Sequence, residues 1–166
     1  AMRSSPPRQG EAREHVDVRP LTRADHDQWL ALFASYNAFY GREGATALAP
    51  RIVSCTWERL LDPDEAMHGL VADAGGRLVG IAHYLFHHTT TRVEPVCYLN
   101  DLFIAPHARG RGIARRLVLQ VSRDASLAQA SEVYWQTHET NTAAISLYEK
   151  LARRSGFLVY ERPAGW

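Results

Sequence analysis

The hydrophobic and polar positions of this 166-residue chain follow two periods along its length. Period-two alternation, or a short apolar run bounded by turn residues, predicts a strand, whereas apolar residues three or four positions apart predict a helix. The predicted strands are 15–21, two strands within 68–88 that meet at the turn 74–76, 96–106, 132–139 and 157–163. The predicted helices are 22–41, 47–63, 110–126 and 141–156.

This order, β-α-α-β-β-β-α-β-α-β, predicts a single-domain α/β fold with a mixed central sheet and helices on both faces. Because a helix connects strands 96–106 and 132–139, we expect these two strands to be parallel neighbours. The two strands within 68–88 are expected to form an antiparallel hairpin. Residues 1–14 are predicted to be a disordered tail, and residues 15–166 to form the domain.

Composition and charge exclude several classes of protein. The chain is 46% hydrophobic and 22% charged, with a formal net charge of +1, which is ordinary for a globular protein and argues against a nucleic-acid binder. No apolar run approaches the roughly 18–20 residues of a membrane-spanning helix. The first residues also lack the apolar core of a secretory signal. We therefore expect a cytoplasmic protein with neither a membrane nor a nucleic acid as its partner.

Cysteines and histidines are the residues that raise the question of a metal or redox site. Cys55 and Cys97 are too few for a disulfide framework and are interpreted as reduced and buried. His83, His87 and His88 are interpreted as exposed residues at a strand end, because no cysteine or convergent carboxylate pattern accompanies them. No metal is expected.

A turn rich in arginine and glycine, residues 107–116, follows the strand 96–106 and opens the next helix. Helix N-termini carry unpaired N–H groups and a partial positive charge, yet no acidic residue precedes Asp124 in this helix. Such a turn favours an external anion, most plausibly a phosphate, which the backbone could approach closely at Gly110 and Gly112. The alternative is a solvated basic turn whose glycines only supply positive φ. The patterns of a P-loop and of a dinucleotide-binding turn are not matched.

The same turn resembles the acetyl-CoA signature of the GNAT family of N-acetyltransferases, which reads Arg or Gln, any two residues, Gly, any residue, and Gly or Ala. The resemblance extends to "YLNDLFIAPHARGRGIARRL" and to "VYWQTHETNTAAISLYEKLARRSGFLVY", and it covers about 15–163. Within the family, "LNDLF" and the second stretch look most like the yeast-type histone, polyamine and D-amino-acid acetyltransferases. "LNDLFI" is also similar to the diamine (spermidine/spermine) acetyltransferases.

The resemblance implies a GNAT fold and direct transfer of an acetyl group from acetyl-CoA to a primary amine in a ternary complex. It implies that backbone groups of three strand residues hold the pantetheine, that the turn holds the pyrophosphate, and that Asn141 and Tyr148 also contact the cofactor. The predicted cofactor-binding residues are Leu102, Phe103, Ile104, Arg109, Gly110, Arg111, Gly112, Ile113, Ala114, Arg115, Asn141 and Tyr148.

Tyr148 lies where the family places the tyrosine that protonates the departing thiolate, although from the helix alone it reads as a core tyrosine. Asn141 could equally be a plain helix N-cap.

The base and the acceptor site are less defined. The diamine acetyltransferases carry a glutamate where this chain has Asn100, which cannot accept a proton. Asp101 is the neighbouring carboxylate, but successive strand residues are expected to face opposite sides. It could anchor the substrate amine, act as a base through water, or be structural. His138 and Glu139, at the end of the following strand, are further candidates to relay a proton or attract a cationic amine, or they are solvated loop residues.

The acceptor is expected to contact Tyr36 or Tyr40, together with Asn100 and Asp101, because the first helix and the loop after it line the family's acceptor site. The leading hypothesis is an N-acetyltransferase of small amines: polyamines, diamines or amino acids. The alternatives are acetylation of protein lysines or N-termini and a non-catalytic acetyl-CoA-binding regulator. Acidic residues near the cleft, such as Glu43, Glu94, Asp101 and Glu139, would favour a polycationic amine. A homodimer is a further expectation from the family.

Overall fold

A computed structural model describes residues 15–165, so the predicted tail at 1–14 lies outside the described residues. The strands are β1 (Asp17–Pro20), β2 (Met67–Ala74), β3 (Arg77–His87), β4 (Val96–Ile104) and β5 (Val133–Tyr134). The helices are α1 (His26–Phe39), α2 (Pro50–Leu61), α3 (Ile113–Leu127) and α4 (Thr142–Tyr148). The contacts divide the chain into a larger unit, Ala1–Trp135, and a smaller unit, Gln136–Trp166.

The larger unit holds the five-stranded sheet, whose strands lie in the order β1-β2-β3-β4-β5. The first four strands pair antiparallel with their neighbours, and β5 pairs parallel to β4 through Cys97 with Val133 and Tyr98 with Tyr134. The predicted hairpin and the predicted parallel neighbours are both confirmed. The mixed sheet follows from the connections, because α3 carries the chain back to the start of a parallel strand.

Helices cover both faces of this sheet, as two adjacent residues of β3 show. His83 contacts Trp29 of α1, whereas the hydroxyl of Tyr84 donates to Asp124 of α3 at 2.9 Å. Since successive strand residues point to opposite faces, α1 and α3 lie on opposite sides. The core on the α1 side is built on Trp29, Phe33, Trp57, Val71, Ile81 and Phe103. The predicted two-sided α/β fold is therefore confirmed.

The chain packs very closely where β3 pairs with the end of β4, at Gly80 and Ile104. A Cβ atom on Gly80 would lie 2.8 Å from Cδ1 of Ile104 and 3.1 Å from the carbonyl oxygen of Phe103. Glycine thus lets β3 approach the segment of β4 that leads into the arginine-glycine turn.

The prediction was less accurate towards the C-terminus. The strand predicted at 132–139 is reduced to β5, and the helix predicted at 141–156 is reduced to α4. The strand predicted at 157–163 is wrong, because these residues form no strand, and Phe157 and Tyr160 are almost fully exposed. Alternating apolar residues form a strand only where a neighbour accepts their backbone hydrogen bonds, and no described strand pairs with this segment.

The prediction for the cysteines is half right. Both are free thiols in the described structure, but Cys55 is exposed on α2, and only Cys97 is buried. Cys55 lies on the exposed face of α2, whereas Trp57 and Leu60 on the buried face pack against the sheet.

Candidate active site

The region predicted to contact the acceptor begins with an irregularity in β4. His83 of β3 pairs with Asp101, but the next residue, Tyr84, pairs with Leu99, so Asn100 is an extra residue in β4. This is the arrangement of a β-bulge, which re-aims the side chains next to it. The expectation that Asn100 and Asp101 face opposite sides is therefore wrong. The Asn100 side-chain amide donates to Asp101 Oδ1 at 2.9 Å, and both residues line the same pocket.

A buried hydrogen-bonded chain leads from the core to Asp101. Trp29 donates its Nε1–H to Nε2 of His83 at 2.9 Å, and Nδ1 of His83 lies 2.9 Å from Oδ2 of Asp101. Because the indole can only donate, Nε2 of His83 must be an acceptor, and the ring proton therefore sits on Nδ1 and is donated to Asp101. Trp29 thus fixes the tautomer of His83, and His83 fixes the orientation of the carboxylate.

His83 is only 2% exposed, so its interpretation as an exposed strand-end residue is wrong. It lies in the middle of the apolar run "LVGIAHYLF", and an interruption of such a run by one histidine is the signal that could have identified it. His87 is half-buried and bonds the Tyr134 hydroxyl at 2.8 Å, whereas His88 is exposed. Among residues 15–165, no three His, Cys, Asp or Glu side chains cluster in a way that could hold a metal ion.

Asp101 is held as a carboxylate by its neighbours. Burial alone would raise its pKa, but hydrogen bonds from His83, Tyr36 and Asn100 outweigh burial and hold the pKa below its ordinary value. Burial and the negative charge of Asp101 raise the pKa of Tyr36, so its hydroxyl keeps the proton that it donates. A carboxylate offers about four acceptor positions, and the hydrogen bonds from His83 and Asn100, both at 2.9 Å, leave acceptor capacity for a ligand.

The pocket beside Asp101 has a volume of about 270 Å³ and lies within the larger unit. Its walls include Phe33, Tyr36 and Met67, and its polar groups include His83, Asn100 and Asp101. The predicted contacts Tyr36, Asn100 and Asp101 are thus brought together. Tyr40 packs edge-on against Tyr36 with 5.2 Å between the ring centroids, is 41% exposed, and is not among the lining residues.

The arginine-glycine turn follows β4 and ends at the first turn of α3. Gly110 and Gly112 have φ of 74° and 76°, and a Cβ atom on either would meet nothing within 4 Å. The positive φ values account for both glycines, and the open space leaves room for a ligand beside the backbone. The first helical hydrogen bond of α3 runs from the N–H of Arg116 to the carbonyl of Gly112 at 3.1 Å. The amides of the three preceding residues therefore lie before the helical ladder and are available to an anion.

The arginines of the turn differ in their surroundings. Arg109 donates its Nε–H to the carbonyl of Ile104 at 3.0 Å, and its guanidinium lies 5.6 Å from the centre of the Phe103 ring. Arg109 thus braces the turn against the end of β4. Arg111 and Arg115 are exposed. The two residues between Gly112 and Arg115 are more buried: Ile113 is buried and Ala114 is half-buried.

One edge of β4 is open beyond its short pairing with β5. Described pairing on that edge stops at Tyr98, before the bulge. On the other edge, the N–H of Ala105 donates to the carbonyl of Val79 at 2.9 Å, and Phe103 pairs with Ile81. Because bonding alternates along an antiparallel ladder, the backbone of Phe103 faces β3, and the backbone groups of Leu102 and Ile104 face the open edge. Of the three residues predicted to hold the pantetheine, these two have the required orientation.

The remaining predicted residues belong to the smaller unit. Asn141 caps α4, since its Oδ1 accepts from the N–H of Ala144 at 3.3 Å. Nδ1 of His138 lies 2.7 Å from the Thr140 hydroxyl, and both His138 and Glu139 are exposed. Tyr148 is the last residue of α4 and is half-buried.

Comparison with known proteins identifies the family to which this fold and turn belong. The sequence profile of the acetyltransferase (GNAT) family matches residues 28–152. The chain belongs to this family. It is therefore an acetyl-CoA-dependent N-acetyltransferase.

Individual relatives agree with this assignment. The chain is 32% identical over 151 residues to the D-amino-acid N-acetyltransferase HPA3 of Saccharomyces cerevisiae, covering 90% of this chain and 91% of that one. A solved aminoglycoside acetyltransferase, HMB0005 from an uncultured soil metagenomic sample, is 27% identical with a TM-score of 0.76 and covers 91% of this chain and 99% of its own. The aminoglycoside acetyltransferase AAC(6')-Iy in complex with a CoA bisubstrate analogue has a TM-score of 0.77 at 20% identity over 91% and 99% of the chains, and this likeness supports the fold.

The chemistry of the donors in the larger unit fits acetyl-CoA. The turn offers backbone amides at a helix N-terminus together with exposed arginines, which suit a pyrophosphate. The open edge of β4 offers N–H and carbonyl groups, which suit the amides of a pantetheine arm. No helix among the described residues has the length and apolar character needed to cross a membrane.

Proposed function

We propose that the chain acetylates a primary amine of a small molecule bound in the pocket beside Asp101. The observation that carries this proposal is the carboxylate of Asp101: its side chain is only 12% exposed, it keeps a pKa below its ordinary value, and it borders a small pocket. A buried carboxylate needs a partner of opposite charge, and an alkylammonium, with a pKa near 10.4, carries that charge at neutral pH.

The volume of the pocket favours a small acceptor over a polypeptide. At about 270 Å³ it lies slightly below the roughly 300–1,000 Å³ of sites that hold drug-sized ligands. The similar D-amino-acid N-acetyltransferase and aminoglycoside acetyltransferase have small molecules as acceptors, which agrees with this size. These acceptors are those of the relatives, and for this chain they support a small-molecule acceptor.

The residues of this chain divide the work of the reaction. Acetyl-CoA, when bound, supplies the acetyl group, and the overall reaction converts it and the ammonium form of the amine into an amide, CoA and a proton. Asp101 anchors the amine and, with its lowered pKa, is a weak base. The backbone of Leu102 and Ile104 and the turn at 109–115 hold the cofactor. Tyr148 donates a proton to the departing thiolate, Asn141 contacts the cofactor, and His138 or Glu139 accepts the proton of the amine.

Acetyl-CoA turnover against a panel of acceptors tests the proposal. Thiol release is measured with putrescine, spermidine, D- and L-amino acids, an aminoglycoside and a histone-tail peptide. We expect at least one small amine to exceed the peptide clearly in kcat/KM. Replacing Asp101→Asn keeps the shape of the side chain but removes its charge, and should raise the KM for that amine about 10- to 100-fold. Asp64→Asn, at an exposed position, is the matched control. A preference for the peptide, or an unchanged KM in Asp101→Asn, contradicts the proposal.

A further inference from the structure

We propose that Arg42 binds a carboxylate of the acceptor, so that the acceptor is an amino acid. This inference rests on the proposed function and names the class of amine that the pocket takes. Arg42 lies in the loop after α1 and lines the same pocket as Asp101. The sequence motifs do not include it.

The guanidinium of Arg42 is held in place by a buried side chain. Its Nε–H donates to Oδ1 of Asn37 at 2.7 Å, and its backbone N–H donates to the carbonyl of Asn37 at 2.9 Å. Asn37 is only 5% exposed and is fixed in turn, because its own amide donates to the carbonyl of Phe33 at 2.8 Å. The position of the guanidinium is therefore built into α1 before any ligand arrives.

Aromatic rings support the same guanidinium from the side. The central carbon of the guanidinium lies 5.8 Å from the centre of the Tyr36 ring and 5.4 Å from the centre of the Tyr40 ring. Within residues 15–165, no hydrogen bond or ion pair occupies the two terminal nitrogens of Arg42. A guanidinium that is held through Nε and lies near two aromatic rings presents its terminal N–H groups as a fork, which matches the two oxygens of a carboxylate.

Tyr36 connects the two charges of the pocket. Its pKa is raised in part by the negative charge of Asp101, and its ring centre lies 5.8 Å from the guanidinium carbon of Arg42, so this side chain is close to both charges. Of the acidic residues expected to favour a polycation, Asp101 lines the pocket, whereas Glu43 and Glu94 do not. A pocket with one carboxylate and one guanidinium is complementary to a zwitterion. A polyamine would place a second positive charge near Arg42 and would gain nothing from the fork.

The experiment compares amino acids with the amines that lack their carboxylate. Initial rates of thiol release are measured for D- and L-leucine against isopentylamine, and for D- and L-phenylalanine against phenethylamine. We expect kcat/KM to be about 10- to 100-fold higher for the preferred amino acid than for its amine, as for a charge-assisted bidentate contact. Arg42→Gln should reduce this ratio to near one, and Arg42→Lys should restore part of it. Arg51→Gln, at an exposed position on α2, should leave the ratio unchanged.

The outcomes separate this inference from the proposed function. Two outcomes contradict a carboxylate-binding role of Arg42: the wild-type protein acetylates amines without preferring the amino acids, or Arg42→Gln leaves the ratio of the kcat/KM values unchanged. In either case the small-amine function stands. If no small amine is acetylated although acetyl-CoA binds in calorimetry, the proposed function itself fails. The wild-type comparison and Arg42→Lys keep the test decisive if Arg42→Gln does not fold.

Discussion

Replacing Asp25→Asn should destabilise the larger unit in a pH-dependent way. Asp25 precedes α1 and accepts four hydrogen bonds: two at 2.8 Å from the guanidinium of Arg19, and two from the N–H and hydroxyl of Thr22 at 2.8 and 2.9 Å. Arg19 also bonds Asp73 of β2 at 2.9 Å. This cluster ties the start of α1 to the sheet, and α1 carries four residues that line the pocket or position Asp101: Trp29, Phe33, Tyr36 and Asn37.

The size of the effect follows from the pKa of Asp25. Hydrogen bonds from Arg19 lower it from 3.8 to about 2, against the opposing effect of burial. At about 1.36 kcal/mol per unit, this shift is worth roughly 2 kcal/mol of folding free energy at neutral pH. Because the folded pKa is the lower one, the contribution is complete above pH 4 and is lost as the pH falls towards 2. At pH 3 roughly half of it should remain.

Urea unfolding followed by tryptophan fluorescence checks this prediction, since Trp29 and Trp57 are buried. The free energy of unfolding is compared between wild type and Asp25→Asn at pH 7, 5 and 3. We expect a difference of about 2 kcal/mol at pH 7 that narrows by pH 3. Asp27→Asn, at an exposed position in the first turn of the same helix, should cost less than about 1 kcal/mol. A difference that is independent of pH, or absent at pH 7, would refute the assignment of this stability to the ionised carboxylate.

Three further substitutions test the cofactor side and the packing behind it. Gly112→Val should abolish the binding of acetyl-CoA in calorimetry while the fold survives. Gly75→Val imposes a similar positive-φ strain in the β2–β3 turn and should leave that binding intact. Equal affinities of the two variants for acetyl-CoA would contradict the phosphate role of the turn 109–115. Tyr148→Phe should lower kcat far more than the affinity for acetyl-CoA, and an unchanged kcat would exclude Tyr148 as the acid. Gly80→Ala should cost about 1–3 kcal/mol of stability in urea unfolding, because its Cβ would lie 2.8 Å from Ile104; wild-type stability would show that Ile104 yields freely.

The parts of the fold that the sequence predicted are those fixed by local pattern. The hairpin of β2 and β3 follows from two alternating runs around a glycine turn, and the parallel pairing of β4 with β5 follows from the connecting helix. The prediction of a strand at 157–163 was wrong because apolar alternation gives no information about whether a neighbouring strand is present. The strand predicted at 132–139 was too long for the same reason, because its apolar pattern does not show where a neighbouring strand stops pairing with it. The described pairing of β5 with β4 ends at Tyr98, just before the bulge.

The acceptor site was harder to predict because it depends on contacts between distant segments. Asp101 was a candidate, but its role could not be chosen until His83, Asn100 and Tyr36 were seen to surround it. The bulge at Asn100 could not be predicted from a period-two pattern. One extra residue in a strand reverses which face of the sheet every later side chain points to, and the pattern itself does not mark where this happens. Arg42 was missed because a single arginine after a helix is usually a solvated residue.

β4 brings the two halves of the proposed reaction together on one continuous segment. Its bulge presents Asp101 to the proposed acceptor pocket, and the backbone groups of Leu102 and Ile104 lie on the edge proposed for the pantetheine. At about 3.3 Å per residue, Asp101 and Ile104 lie roughly 10 Å apart along the strand. The proposed anchor for the amine and the proposed edge for the cofactor arm therefore lie within about 10 Å of each other on one strand. Since Arg42 comes from the loop after α1 instead, the class of acceptor can be altered there while this spacing stays fixed.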